Sequence, residues 1–156
     1  MDPVTELREI EAIKALKYRY MRSIDQKLWD EMRACFTEDA TTAYSGGRYS
    51  FRGIDAIMKF MTESMGRASF LSSHRVHHPE IRLESDTTAT GTWALEDYVV
   101  DTQHDITIHG AAFYEDRYVK VDGAWRIQHT GYRRTFEEMA PRAKQGWRVT
   151  QRAFEE

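Results

Sequence analysis

His77 and Asp97 are two side chains of this sequence that could do acid–base chemistry together. Both belong to residues 72–101, SSHRVHHPEIRLESDTTATGTWALEDYVVD, which read as two strands joined by the polar turn Glu84-Ser85-Asp86-Thr87. Successive strand residues point to opposite faces. In the first strand Arg75, His77, Ile81 and Leu83 therefore share a face, and in the second Ala89, Gly91, Trp93, Leu95, Asp97 and Val99 do. Folding at the turn lays these rows on one side of the sheet, with His77 and Asp97 opposite or diagonal to one another. Diagonal partners stand about 7–8 Å apart at the backbone, within reach of long side chains. A carboxylate on an apolar face is costly unless paired. The pattern thus predicts an Asp97–His77 hydrogen bond, a general base with its orienting group. The competing reading is a core histidine satisfied elsewhere and an aspartate in water at a strand end; two residues alone do not decide. His74, His77 and His78 are not expected to bind a metal, because His77 points away from the other two.

The elements that must hold this pair can be read from hydrophobic period. Ile10, Ile13, Leu16, Tyr20 and Ile24 recur at spacings of three and four, which predicts an amphipathic first helix over residues 3–24. Tyr20 lies on its buried stripe, where a hydroxyl either finds one packing partner or points into a cavity. Asp25 closes that helix, where a turn residue is ordinary. A short second helix is expected over residues 29–36, then a hairpin of residues 40–44 and 49–52 around Ser45-Gly46-Gly47. A third helix starts at Gly53-Ile54-Asp55 with Ile54, Ile57, Met58, Met61 and Met65 on its apolar face, a wall able to adapt to an irregular partner. In residues 106–119, Gly110 and Ala112 leave space on the face that carries Tyr114 and Tyr118, as a pocket-lining sheet or a close backbone contact would need. Asp122-Gly123 returns the chain through a last strand over residues 125–134. The order predicts an α+β fold, a curved antiparallel sheet wrapped around the first helix as a cone with an open mouth.

The 156 residues suit one domain, with a core of about residues 8–136 and a basic tail over 137–156. A formal charge of −3 gives no reason to expect nucleic acid. Cys35 has no partner for a disulfide, and residues 1–11 lack a signal-peptide pattern, so the chain is expected in the cytoplasm and off the membrane.

The segments IEAIKALKYRY, TAYSGG, HHPEI, TTATGTWALED, GAAFYEDRY and DGAWRIQHTGYRR, in this order, resemble the SnoaL-like branch of the nuclear transport factor 2-like superfamily, and within it the bile acid 7α-dehydratases. Scytalone dehydratase and ketosteroid isomerase are more distant members. The resemblance runs over about residues 10–134. It implies catalytic roles for Tyr20, His77 and Asp97 and pocket positions for Asp25, Tyr44, Tyr114 and Arg134. It further implies a dehydratase without cofactor or metal, acting on a hydroxylated 3-oxo-Δ4 steroid as free acid or coenzyme A ester, in a homo-oligomer, a trimer by preference. Isomerisation, polyketide dehydration or cyclisation, and non-catalytic small-molecule binding stay open on the same residues.

Overall fold

Asp2 caps the first helix: its carboxylate accepts the backbone N–H groups of Val4 and Thr5, and Pro3 fills the first helical position, where no N–H is needed. In the computed structural model, which describes residues 2–154, this helix is α1 (Pro3–Asp25). Its predicted stripe is buried at Ile13, Leu16, Tyr20 and Ile24. Just past its end Lys27 takes a positive φ of 55° and donates to the carbonyls of Met65 (2.6 Å) and Phe70 (2.8 Å). Those bonds tie the end of α1 to two later segments.

The second helix, α2 (Trp29–Arg33), is shorter than its apolar residues suggested, because Phe36 already opens strand β1 (Phe36–Tyr44). Ser45, Gly46 and Gly47 all have positive φ, as the turn into β2 (Tyr49–Arg52) requires. Gly53, at φ 84°, leads into α3 (Ile54–Met65), whose Ile54, Ile57 and Met61 are buried. Strands β3 (Phe70–Leu83), β4 (Thr88–Asp101), β5 (Ile106–Val121) and β6 (Ala124–Pro141) follow, and then one turn of helix, α4 (Arg142–Gln145). Strand β6 pairs as far as Pro141 with Ile106, so the expected tail is strand for its first residues.

The sheet order is β2-β1-β6-β5-β4-β3. Neighbours are antiparallel except β1 and β6, which run parallel from Phe36↔Ile127 to Ala43↔Gly131. That pairing brings Tyr44 beside the residues of β6. One face of the sheet packs on α1, with Trp93, Leu95, Ala112, Tyr114 and Ile127 in the same core as the helix stripe. This is the expected α+β architecture, a sheet around an N-terminal helix.

Strand β3 departs from regular alternation. Its ladder with β4 is bulged between His77 and Glu80, and His78 has φ 47°. Pro79 has no N–H to give, which an edge strand tolerates. A bulge adds one residue and switches the alternation. Val76 packs on the core before it, and Ile81 and Leu83 after it.

Candidate functional site

Four tyrosines and a histidine meet inside the sheet. Tyr20 comes from α1, Tyr44 from the end of β1, Tyr114 from β5, Tyr132 from β6 and His74 from β3; they line a cavity of about 120 Å³. Phe60 and Met61 of α3 also line it, as does a fifth tyrosine, Tyr49 of β2; the Phe60 ring stacks on Tyr44 (6.2 Å), Tyr49 (5.5 Å) and Phe51 (4.5 Å). The Tyr20 and Tyr44 hydroxyls are hydrogen-bonded at 2.9 Å. The Tyr132 ring stands 5.7 Å from Tyr44 and 5.4 Å from Tyr114. Burial, reinforced by neighbouring tyrosines, pushes the hydroxyls of Tyr20 and Tyr114 well above their usual pKa; burial also raises Tyr44. At neutral pH these hydroxyls keep their protons and can donate them in hydrogen bonds.

His74 is held from behind by Asp25. The last turn of α1 points the Asp25 carboxylate at β3, where Oδ1 meets His74 Nδ1 at 2.7 Å and accepts from Ser72 Oγ at 2.8 Å. Its Oδ2 accepts the His74 backbone N–H at 2.8 Å. An ionised carboxylate can only accept, so the contact places an imidazole proton on Nδ1, and in the neutral ring Nε2 is then the acceptor. Such an arrangement can serve as a general base with a fixed tautomer, at the wall of a cavity lined by tyrosines. Asp25 itself stands outside that wall and acts on the site through His74.

The expected His77–Asp97 hydrogen bond is not formed. Asp97 is buried on the apolar row, as its position in β4 predicted, but its carboxylate is paired in bidentate fashion with Arg134: Nη1 to Oδ1 and Nη2 to Oδ2, the latter at 2.9 Å. Burial, the largest single influence, would lower the Arg134 pKa; the hydrogen bonds and charge of Asp97, with Tyr132 and Glu137, together outweigh it and raise it. The guanidinium lies 5.0 Å from the Tyr132 ring centre. His77 is exposed and faces Ala94 across the ladder, whereas His74 faces Asp97. The bulge is the cause, since counting back from Ile81 through it lands on His77 when the inward histidine is His74. The gap at Gly110 is not cavity either. A Cβ there would stand 3.1 Å from Arg134 Cζ and 3.2 Å from Asp97 Oδ1, so the missing side chain makes room for the ion pair.

Two buried charges next to the cavity tyrosines do not stand out in the sequence. Lys17 and Asp116 form an ion pair at 2.7 Å with both side chains fully buried, and Lys17 Nζ lies 3.5 Å from the Tyr114 ring centre. Both had a visible signal. Lys17 is four residues after Ile13 and three before Tyr20, on the apolar stripe, and Asp116 lies between Tyr114 and Tyr118 on the inward face of β5.

Residues 5–131 match the SnoaL-like domain. A Mycobacterium tuberculosis protein, Rv2910c, itself uncharacterised, is 23% identical over 140 residues, covering 87% of this chain and 92% of its own. A crystal structure from Novosphingobium aromaticivorans, of a protein proposed to be a scytalone dehydratase, superposes with a TM-score of 0.82 at 26% identity, covering 88% of this chain and 91% of that one. The hexachlorocyclohexane dehydrochlorinase LinA-type3 from Novosphingobium barchaimii superposes with a TM-score of 0.79 at 15% identity, covering 89% and 94%; at that identity it speaks for the shared fold.

Proposed function

The chain belongs to the SnoaL-like domain family, and we propose that it is a cofactor-independent lyase that eliminates water from a small hydroxylated carbonyl compound. The observation that carries this reading is the His74 Nδ1 to Asp25 Oδ1 hydrogen bond of 2.7 Å at the wall of the tyrosine cavity. His74 Nε2 removes a proton from the carbon beside the carbonyl. Negative charge then develops on the carbonyl oxygen, which Tyr20 holds by hydrogen bonding, with Tyr44 and Tyr114 beside it. Asp25 stabilises the imidazolium, and the imidazolium protonates the departing hydroxyl. One water leaves and one conjugated double bond forms. The likeness at 26% identity to a protein proposed to be a scytalone dehydratase supports this class of reaction.

The substrate follows from size. A cavity of about 120 Å³ is smaller than the roughly 300–1,000 Å³ of ordinary ligand pockets, which supports a ketone of one or two rings against the aromatic wall of Tyr44 and Phe60. A hydroxylated 3-oxo-Δ4 steroid is the larger reading of the same chemistry, with the enone extending the acidity to a more distant carbon. It requires the mouth to widen, and the methionine face of α3 is the wall able to yield.

The test is a panel of hydroxylated cyclic ketones from one to four rings, including a 7α-hydroxy-3-oxo-Δ4 steroid, followed by conjugated-product absorbance and by mass. Loss of one water from the smaller members supports the full reading. Loss from the steroid alone keeps the reaction and replaces the substrate class. Rearrangement without loss of mass contradicts elimination, and so does saturable binding across the panel with no reaction.

A further inference from the structure

We propose that Lys17, held by Asp116, is a positioning residue that strengthens the tyrosine hydroxyls as donors to an oxyanion in the cavity. The inference rests on the proposed oxyanion chemistry and goes beyond it in assigning a source for the field.

Lys17 Nζ sits 3.5 Å from the centre of the Tyr114 ring and 5.0 Å from that of Tyr20. It lies 2.7 Å from Asp116 Oδ2 and 3.4 Å from Thr130 Oγ1. The same Asp116 oxygen, Oδ2, also accepts the Tyr118 hydroxyl at 2.6 Å, and that hydroxyl accepts the Trp93 indole N–H at 2.9 Å. Neither Tyr118 nor Trp93 lines the cavity. The pair is therefore a dipole with its positive end against the rings of two cavity tyrosines; the Asp116 carboxylate acts on the same hydroxyls in the opposite sense, and removing both charges together tests which of the two prevails.

A role in stability alone accounts poorly for this arrangement. A buried ion pair is often no better for stability than apolar residues of the same volume, and the position on α1 is one an apolar side chain would fill. A cation over a ring face is attracted by its π electrons, most strongly where water is excluded. It draws electron density from the phenol and makes the O–H a better donor. Tyr114 lines the cavity, and no side-chain hydrogen bond engages its hydroxyl among the described residues, which leaves it to donate to a ligand oxygen. In a dry site such fixed charges act with little screening.

The probe is 4-nitrophenol, whose neutral and anionic forms are told apart by absorbance and whose phenolate stands in for the reaction's oxyanion. Lys17→Met alone would leave Asp116 charged and unpaired, so the test uses Lys17→Met with Asp116→Asn. Wild-type protein is expected to bind the phenolate in preference to the phenol. The paired variant is expected to bind the neutral phenol as before while its preference for the phenolate falls about tenfold. A purely structural pair would not move that ratio at unchanged phenol affinity. An unchanged ratio overturns the role of Lys17 and leaves the oxyanion site standing; no phenolate preference in wild type overturns both. Should the paired variant not fold, Tyr114→Phe removes the hydroxyl through which Lys17 acts, and retention of the full preference there overturns the proposal.

Discussion

His74 stands directly opposite Asp97 in the β3–β4 register, yet its imidazole bonds to Asp25 of α1 at 2.7 Å, and Asp97 is taken by Arg134. Two carboxylates thus divide the work on either side of one histidine. In the proposed mechanism Asp25 orients the base. Asp97 fixes a guanidinium 5.0 Å from the ring centre of Tyr132, so that both Lys17 and Arg134 sit by rings of the tyrosine cluster, each with its own carboxylate.

Tyr20→Phe removes one end of the 2.9 Å hydroxyl pair with Tyr44 and the leading donor to the developing oxyanion. Turnover is expected to fall by about 10²–10³-fold, as for loss of one oxyanion donor, with little change in substrate affinity. Stability should drop by only about 1 kcal/mol, the usual net worth of one hydrogen bond. Steady-state kinetics with urea unfolding of the same variant checks both, and unchanged turnover would remove Tyr20 from the mechanism.

Gly110→Ala should destabilise the protein although it adds only a methyl group. The new Cβ enters the space of the Arg134 guanidinium and forces the bidentate pair with Asp97 apart. Disturbing a hydrogen-bonded charge at a buried carboxylate costs about 2 kcal/mol. A denaturation midpoint equal to that of wild type would show that Arg134 moves aside freely.

Alkaline pH should unfold the chain through its tyrosines. Burial raises the pKa of Tyr20, Tyr44, Tyr114 and Tyr118, whereas unfolded tyrosines titrate near about 10. The folded chain then keeps protons that the unfolded chain gives up, so stability is intact below that value and falls as pH rises through it. Lys17 acts in the opposite sense, because burial lowers its pKa despite Asp116. Its contribution rises with pH only up to the unfolded lysine value of about 10.4. Urea midpoints measured across that region should decline beyond it, and a flat profile would contradict the buried, protonated state of the cluster.

The stripe of α1 and the inward row of β4 were legible in the sequence because each keeps one period along its whole length. Tyr20 on the stripe and Asp97 on the apolar row were placed correctly on their faces for that reason. His77 was not, because strand alternation was carried through a bulge. The trace of that bulge is Pro79, a residue without an N–H inside a strand pattern, which marks an edge or a break in the ladder. Lys17 and Asp116 look like solvated charges between apolar positions, although their spacing puts both on inward faces. The occupant of the space at Gly110 could not be read at all, since sequence shows where a side chain is missing and not what fills its place. The parallel pairing of β1 with β6 joins strands far apart in the chain and has no local signature.

The decisive comparison is between two histidines three residues apart. His74→Ala and His77→Ala are assayed against the substrate found in the ketone panel, with thermal melts confirming that both variants fold. His74→Ala should lose about 10²–10⁴ in turnover, the usual worth of a positioned general base, while His77→Ala keeps nearly all of it. Full activity in His74→Ala, or its loss in a folded His77→Ala, would contradict the assignment of His74 and Asp25 as the base and its orienting group.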